Sequence, residues 1–334
     1  MKLLVTGGTG FLGSYILKEL EKPGYKEKFK LETIRLFVRN PEKCKKITSD
    51  KYKIELAVGD MTDEAALKEA VKGIDAVIHV ASKYAIKGKK KDFIKTNVDG
   101  TRYLLEGLKP GSTFILTSST AVYGWSTNNG EPFAEDFEPK NPFWHYQVSK
   151  KMQEDLARTM CLEKGIFFVA LRPPMISGPG DEPTRVLMDN LKKKMIPLCR
   201  GGKGIVPVTH PEDAAKAHLL ALEKARENDG EAFHFVSFHV PFRDFANEFN
   251  KELGLKPLRM RVPYWIIYSL AAFLEFLPIN SDYTRFSVKV LGASDQLITT
   301  KITEKLGFKP KYQLEESVKE SVDWYKSLKD EVCE

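Results

Sequence analysis

The sequence predicts an α/β fold built on a doubly wound parallel sheet, and three observations carry that prediction. Short runs nearly continuous in apolar residues alternate with stretches whose apolar residues recur at helical spacing. The first of these runs, 2–6, ends in a glycine-rich turn that leads directly into a helical stretch. The chain has 334 residues, 42% of them hydrophobic, which is enough to bury a large core without disulfides or metals. Helices are therefore expected on both faces of the sheet.

The elements of the first half follow in order. Residues 2–6 predict the first strand, and 11–20 predict a helix because Leu12, Ile16 and Leu20 share one face. The same reasoning predicts further strands at 33–38, 54–58, 76–81, 113–117 and 167–171, and helices at 65–71, 97–108 and 146–164.

After Arg172 the alternation loosens, because prolines and glycines crowd the segment 173–183. Later elements are predicted as a helix at 211–225, a strand at 232–236 and a helix at 243–253. We therefore divide the chain into a main domain, 1–172, and a smaller C-terminal lobe, 173–334, interleaved with the last strands of the sheet.

Composition excludes several classes of protein. The 52 basic and 45 acidic residues give a net charge of only +7, too little for a nucleic-acid partner. The four cysteines, at 44, 161, 199 and 333, are widely spaced, with no Cys-x-x-Cys pair and no metal-ligand spacing. They predict free thiols and no metal. The opening apolar run is too short for a signal peptide, so we expect a cytoplasmic protein.

The turn after the first strand predicts a dinucleotide site. Gly7, Gly10 and Gly13 follow the spacing Gly-x-x-Gly-x-x-Gly. The first lets the strand turn sharply, the second lets backbone approach a pyrophosphate, and the third lets the helix pack closely. The pyrophosphate would then lie on the helix N-terminus.

The ends of the next two strands bear on which dinucleotide binds. An acidic residue after the second strand would hold a ribose 2′-hydroxyl, whereas this chain has Arg39, which suits a 2′-phosphate. We expect NADP(H) to be preferred, with NAD(H) possible, since Arg39 could also stack on adenine. Asp60, after the third strand, could accept a hydrogen bond from the adenine amino group.

Three residue types typical of carbonyl reduction occur together. Tyr146 and Lys150 lie four residues apart on one face of a predicted helix, and Ser119 follows a central strand. Such groups gather at the carboxyl ends of strands, beside the cofactor. Hydride transfer to a ketone creates an alkoxide that needs a proton, and a free tyrosine has a pKa of about 10. We expect the Lys150 ammonium and a cationic nicotinamide to lower the Tyr146 pKa, and Ser119 to orient the substrate oxygen.

With these motifs the chain resembles an extended short-chain dehydrogenase/reductase over nearly its whole length. The resemblance implies a Rossmann-type sheet with a substrate-binding C-terminal lobe, and catalytic roles for Ser119, Tyr146 and Lys150. It also implies that Asn97 braces the active-site helix and strand. The cofactor-lining residues it implies are Gly7, Gly10, Phe11, Leu12, Gly13, Arg39, Asp60, Met61, Val80, Ala81, Ser82 and Pro173.

Later segments resemble the 3β-hydroxysteroid dehydrogenase-like branch, which includes 2-alkyl-3-oxoalkanoate reductases. The matching pieces are 208–215, 263–265, 283–286 and 305–310. This implies an NAD(P)-dependent oxidoreductase that interconverts a secondary alcohol and a ketone on a hydrophobic substrate. Two alternatives stay open: a nucleotide-sugar epimerase or dehydratase with tightly bound cofactor, and a non-catalytic dinucleotide-sensing protein.

The segment 262–281 has a single charge, Glu275, and predicts a helix at 264–277. Three interpretations compete. The first is a buried or lid helix over a lipophilic substrate, the second a membrane-surface helix with Arg259 and Arg261 at headgroup level, and the third a true span. Peripheral membrane contact through this segment and a homodimer are the partners expected besides the substrate.

Overall fold

The structure, a computed structural model, has a seven-stranded parallel sheet at its centre. The structure describes residues 1–45, 47–85, 88–124, 130–138, 144–259, 261–276, 284–285, 288 and 292–330. The strands of this sheet are β1 (Lys2–Thr6), β2 (Thr33–Val38), β3 (Lys53–Val58), β4 (Ala76–His79), β5 (Thr113–Thr117), β6 (Phe167–Arg172) and β10 (Glu231–His234). Their spatial order is β10-β6-β5-β4-β1-β2-β3, and every pair is parallel. The order reverses between β1 and β4, which places a crevice there at the carboxyl ends of the strands. The predicted doubly wound fold is confirmed.

Helices cover both faces of this sheet because successive strand residues point to opposite sides. Leu3 and Val5 of β1 pack into one core, whereas Leu4 between them packs into the other. The helices are α1 (Phe11–Leu20), α2 (Tyr25–Phe29), α3 (Glu64–Ala70), α4 (Lys90–Phe93), α5 (Gly100–Gly107), α6 (His145–Lys164), α7 (Glu182–Lys192), α8 (Pro211–Glu223), α9 (Phe242–Glu252), α10 (Tyr264–Phe276), α11 (Thr300–Leu306) and α12 (Leu314–Asp330). Residues of α1 and α8 join the core that holds Leu3, and residues of α5 and α6 join the other.

Most predicted boundaries agree with the structure to within two residues, and four points differ. The fourth strand ends at His79, not at 81, because the chain turns there towards the glycine-rich loop. The predicted helix at 97–108 is two elements, a π-helical turn (Ile94–Asp99) followed by α5. The lysine-rich link at 21–30 contains the unpredicted helix α2.

The fourth difference is the smaller lobe, which contains short strands that the sequence did not reveal. They are β7 (Met175–Ile176), β8 (Leu198–Cys199), β9 (Ile205–Thr209), β11 (Phe238–Pro241) and β12 (Arg261–Val262). β9 lies between β11 and β7, and β8 pairs with β12. Side chains from α7, α9 and α12 share a separate core with β9 and β11, including Met188, Val208, Phe249 and Val322. β10 lies in the main sheet, paired with β6, although it follows residue 173 in the chain.

Helix α10 exposes several of its large apolar side chains and buries two smaller or neighbouring ones. Ile267 and Ala271 are buried, whereas Trp265 is 69% exposed and Phe273 is 62% exposed. The lone charge of the segment, Glu275, accepts from the Arg285 side chain at 2.6 Å. Among the described residues, no helix has the length and apolar content needed to cross a bilayer. Residues 277–281 of the predicted segment lie outside the described residues.

The remaining sequence-based predictions concern thiols and metals. Cys44, Cys161 and Cys199 are buried free thiols, and Cys333 lies outside the described residues. Within the ranges that the structure covers, no cluster of His, Cys, Asp and Glu could hold a metal ion.

Candidate active site

The glycine turn after β1 has the geometry that its spacing predicts. Gly7 has a φ of +72°, a conformation that side chains disfavour, and a β-carbon there would meet the Ala81 nitrogen at 3.0 Å. A β-carbon at Gly13 would lie 2.1 Å from the Gly7 carbonyl oxygen, so only glycine lets α1 approach the turn this closely. The Gly10 nitrogen donates to that same oxygen at 2.9 Å.

The start of α1 fits a phosphate group. Gly10 is the N-cap residue and has no side chain with which to cap the helix, and no acidic residue occupies the first turn. Among the described residues, no side chain accepts from the first backbone N–H groups of α1, which begin at Phe11 and Leu12, and the helix dipole favours an anion there. The residues present fit the pyrophosphate of a dinucleotide.

The other predicted cofactor residues occupy the ends of β2 and β3, with differing exposure. Arg39, directly after β2, is exposed, and no ion pair of its guanidinium occurs within the described ranges. Asp60, after β3, is half-buried, and its Oδ1 accepts from the Thr62 nitrogen at 2.9 Å and the Thr62 hydroxyl at 2.8 Å. Met61 is 7% exposed and packs against Gly100, so its side chain belongs to the core.

The segment after β4, with Val80, Ala81 and Ser82, passes beside the glycine turn. The Ala81 nitrogen donates to the Thr6 hydroxyl at 3.1 Å, which joins the two strand ends. Asn97 accepts from the Lys83 nitrogen at 2.7 Å and donates to the Ser149 hydroxyl of α6 at 2.9 Å. The bracing role expected for Asn97 is therefore present.

The structure brings Ser119 and Tyr146 together. The Ser119 hydroxyl lies close enough to the Tyr146 hydroxyl to act on its pKa, and the Ser119 oxygen accepts from the Ala121 nitrogen at 3.1 Å. Pro173 lies alongside, since its carbonyl oxygen accepts from the Thr120 nitrogen at 3.0 Å. An aromatic neighbour that the sequence did not suggest is Tyr84, whose ring meets the Tyr146 ring edge-on at 5.1 Å.

Lys150 lies one helical turn after Tyr146 and is 1% exposed. Its Nζ donates to the Thr117 carbonyl oxygen at 2.7 Å and to the Gln153 Oε1 at 2.6 Å. The amine is therefore held at the carboxyl end of β5, and these two bonds use two of its three N–H donors.

Burial controls the ionisation of both groups. It raises the pKa of Tyr146, an effect that the nearby Ser119 hydroxyl partly offsets. It lowers the pKa of Lys150 to about 7, against the opposing effect of the Glu154 carboxylate. The expected lowering of the Tyr146 pKa by Lys150 is thus not produced by the protein alone, because desolvation outweighs it. At neutral pH Tyr146 is a protonated phenol, the form that can donate to an alkoxide.

Two polar residues of α6 that sequence reasoning missed lie next to Lys150 and act on its amine. Gln153 is fully buried and bonds the Lys150 amine. Glu154 is 3% exposed, accepts from Arg172 of β6 at 2.5 Å and from the Ser118 hydroxyl at 2.5 Å. Positions three and four residues after a catalytic lysine share its helix face, so polar residues there were the available signal.

Two histidines also have defined places. His79 is 1% exposed, and its Nδ1 lies 2.7 Å from the Thr6 hydroxyl, as expected of a hydrogen-bonded core residue. His210 caps α8 by accepting from the Glu212 nitrogen at 3.3 Å, and its ring stacks on Tyr312 at 3.5 Å. This position makes His210 a structural residue of the helix start.

Comparison with known proteins connects this geometry to a family. The model of the NAD dependent epimerase/dehydratase family matches residues 3–235. Sterol-4-alpha-carboxylate 3-dehydrogenase, decarboxylating, of Mus musculus is 27% identical over 350 residues, covering 98% of this chain and 92% of the mouse protein. Tetraketide alpha-pyrone reductase 2 of Arabidopsis thaliana is 28% identical over 251 residues, covering 67% of this chain and 74% of the plant protein.

Solved structures share the fold. The dTDP-glucose 4,6-dehydratase DesIV of Streptomyces venezuelae, with NAD and TYD bound, has a TM-score of 0.77 at 22% identity, covering 99% of this chain and 98% of its own. UDP-glucuronic acid 4-epimerase of Bacillus cereus, in complex with NAD, has a TM-score of 0.74 at 20% identity, covering 98% and 99%.

Proposed function

The chain belongs to the NAD-dependent epimerase/dehydratase family, and from that premise we propose that it interconverts a secondary alcohol and a ketone on a hydrophobic substrate. Enzymes of this family act on CH–OH groups. The observation that carries the proposal is the proximity of Ser119 to Tyr146, together with a buried Lys150 one helical turn later, at the strand ends next to the glycine turn.

Each of the three residues has a defined task in this proposal. When bound, the dinucleotide supplies or takes up the hydride. Ser119 donates to the substrate oxygen and sets its position, since its own oxygen already accepts from the Ala121 nitrogen. Tyr146 gives a proton to that oxygen in reduction and takes one from the alcohol in oxidation. Lys150, in its protonated ammonium form, electrostatically favours the phenolate form of Tyr146.

The glycine turn and α1 hold the pyrophosphate in this proposal, and Arg39 selects NADP(H). The guanidinium is exposed directly after β2, where a 2′-phosphate would be recognised, and it can present a fork of donors to phosphate oxygens. Asp60 keeps Oδ2 available for the adenine amino group, because Thr62 occupies only Oδ1.

The proposed substrate class is a hydrophobic ketone or alcohol of the 3β-hydroxysteroid or 3-oxoalkanoate type. The mouse relative is named a sterol dehydrogenase and the plant relative a pyrone reductase, and the first aligns along almost the whole chain. Tyr84, 57% exposed against the Tyr146 ring, offers an aromatic surface beside the reacting group.

A nucleotide-sugar epimerase or dehydratase is the second candidate, because two of the solved structures that share this fold are such enzymes. A dehydratase of this fold is expected to have acidic residues directly after its catalytic hydroxyl residue. Here Thr120 and Ala121 follow Ser119, which favours simple hydride exchange.

A screen of cofactor turnover tests the substrate class. The protein is mixed with NADPH or NADH and with steroid ketones, 3-oxoacyl compounds or UDP-sugars, and the loss of nicotinamide fluorescence is followed. We expect oxidation with an apolar ketone. Turnover with sugar nucleotides alone would exclude the hydrophobic class.

The catalytic assignment predicts that Tyr146→Phe abolishes turnover and leaves cofactor affinity within about threefold, because only the transferable proton is lost. Turnover is measured by nicotinamide fluorescence and affinity by titration of the same signal. Tyr103→Phe, on the half-buried side of α5, is the matched control and should retain activity. Retained turnover in Tyr146→Phe would contradict the assigned acid/base role.

Contact of 262–281 with a membrane surface, a cytoplasmic location and a homodimer stay predictions. The outward Trp265 and Phe273 support the first of them, because aromatic side chains favour a lipid interface. Flotation with phospholipid vesicles tests it, since Trp265→Ser with Phe273→Ser should lower the bound fraction.

A further inference from the structure

Gln153 supplies one of the two acceptors that the Lys150 amine has among the described residues. Its Oε1 lies 2.6 Å from the amine, and the other acceptor is the Thr117 carbonyl oxygen of β5. Gln153 has no exposed surface, so water does not replace this bond if it is lost.

The other end of the Gln153 amide is equally engaged. Its Nε2 donates to the Thr101 hydroxyl at 2.8 Å and lies 3.2 Å from the His79 Nε2. A flipped amide would set N–H groups against the Lys150 donor. The Thr101 hydroxyl donates to the Asn97 carbonyl oxygen at 2.7 Å, so its oxygen accepts from Gln153 Nε2, and the network assigns Oε1 to the lysine.

This network reaches the cofactor side of the site. The His79 Nδ1 lies 2.7 Å from the Thr6 hydroxyl, and that oxygen also accepts from the Ala81 nitrogen at 3.1 Å. Thr6 directly precedes Gly7, whose backbone Ala81 touches. Gln153 is thus the link between the catalytic lysine and the turn that would hold the pyrophosphate.

Several charged or titratable groups surround Lys150, but the side chain that accepts its hydrogen bond, Gln153, is neutral. On α6 itself these groups are Tyr146 and Glu154, and from β4 the neighbour is His79. The Glu154 carboxylate is matched by Arg172 of β6 at 2.5 Å. Burial lowers the pKa of His79 to about 3, so its ring is neutral at working pH.

We propose that Gln153 is a positioning residue for the reaction: its amide orients the Lys150 amine, favours the charged form of that amine by accepting its hydrogen bond, and ties it to the glycine turn. The inference rests on the proposed function, in which Lys150 serves Tyr146 and the cofactor. Gln153 acts through Lys150 and touches neither substrate nor cofactor.

Two substitutions separate this role from simple packing. Gln153→Met keeps the volume and removes the acceptor, and Gln153→Glu keeps the acceptor and adds a negative charge. The readout without substrate is the ¹³Cε signal of Lys150 in lysine-labelled protein free of cofactor, titrated from pH 5 to 11 and identified by its loss in Lys150→Arg. The readouts with substrate are kcat, KM and the pH profile of kcat/KM.

We expect Gln153→Glu to raise the Lys150 midpoint by about one pH unit or more, because an added carboxylate favours the ammonium. Gln153→Met should lower the midpoint and reduce kcat about 10- to 100-fold, with a smaller change in KM. Gln147→Met is the matched control, since Gln147 is a buried glutamine of the same helix that bonds the Gly124 carbonyl oxygen and the Trp144 nitrogen. It should leave the Lys150 midpoint unchanged.

The outcomes are distinguishable. A Lys150 midpoint that stays within about 0.3 pH units in folded Gln153→Glu overturns the proposal, even if Gln153→Met does not fold. A midpoint that moves while kcat of Gln153→Glu and its pH profile stay as in the parent also overturns it, since Lys150 would then not be coupled to the reaction through Gln153. If the proposed function itself is wrong, Tyr146→Phe should retain turnover while the Lys150 midpoint still moves in Gln153→Glu.

Discussion

In the proposed function, the choice between two cofactors depends on Arg39, a single exposed side chain. NADP(H) differs from NAD(H) by the 2′-phosphate, and a guanidinium directly after β2 is the kind of group that binds one. The side chain has no ion pair to lose among the described residues, so its replacement should act on the ligand and not on the fold.

We therefore predict that Arg39→Asp weakens NADPH binding at least about tenfold, through loss of the guanidinium and repulsion of the phosphate. NADH affinity should change by less than about threefold or increase. Fluorescence titration with both cofactors measures this, and Lys193→Asp, an exposed change at the end of α7, is the charge-matched control. An unchanged ratio of the two affinities would refute the phosphate contact.

At the same scale, Tyr146 and Lys150 show what a pattern of residue types can and cannot predict. Their spacing on one helix face and their proximity to Ser119 were foreseeable, because i and i+4 residues are neighbours on any helix. Their ionisation was not, because it depends on how much water the fold removes from each group. Burial keeps Tyr146 protonated and lowers the pKa of Lys150 to about 7.

At the scale of one element, α10 shows that apolar content does not determine which face is buried. Ile266, Leu270 and Phe273 fall on one apolar face of the helix, and all three are exposed. The buried positions are Ile267 and Ala271, which lie four residues apart on a neighbouring face, about 100° around the helix. A helix that is apolar on every side carries no amphipathic signal that could have distinguished these faces.

Two adjacent isoleucines make this orientation testable. Ile267 is 5% exposed and Ile266 is 40% exposed, so the same substitution has different costs. We predict that Ile267→Ala lowers the free energy of unfolding by about 2–4 kcal/mol, whereas Ile266→Ala lowers it by less than about 1 kcal/mol. Urea denaturation followed by circular dichroism measures both. Equal losses would contradict the helix orientation.

At the scale of the whole molecule, one buried ion pair joins parts of the chain that are distant in sequence. Arg172 at the end of β6 bonds Glu154 of α6, and it donates to the Glu135 carbonyl oxygen at 2.8 Å. The Glu135 side chain accepts from the His234 nitrogen of β10 at 2.7 Å. The helix that presents Tyr146 is thereby connected to the edge of the sheet.

We predict that Arg172→Met lowers the free energy of unfolding by about 3 kcal/mol or more, because it leaves the Glu154 carboxylate buried without its closest cation. Arg172→Met with Glu154→Met should recover part of that loss, since no unpaired charge remains. Urea denaturation of the three proteins measures this. Arg185→Met, which breaks surface pairs with Glu182 and Asp189, should cost no more than about 1 kcal/mol, and an equal cost would contradict the special role of the buried pair.

The sequence by itself determined the alternation of strands and helices, the sharp turn at Gly7 and the shared helix face of Tyr146 and Lys150. All of these are local, since they follow from backbone geometry and from the periods of strand and helix. The close approach at Gly13 is also local, because it involves only the turn six residues earlier.

Only the tertiary structure decided which polar groups meet in the interior. The contacts of Gln153 with His79, of Arg172 with Glu154 and of Tyr84 with Tyr146 join residues from separate elements. A buried polar side chain is stable only where a partner satisfies it, and that partner is set by sheet order and helix packing. For the same reason, the ionisation of Lys150 and the outward face of α10 became known only once the elements were assembled.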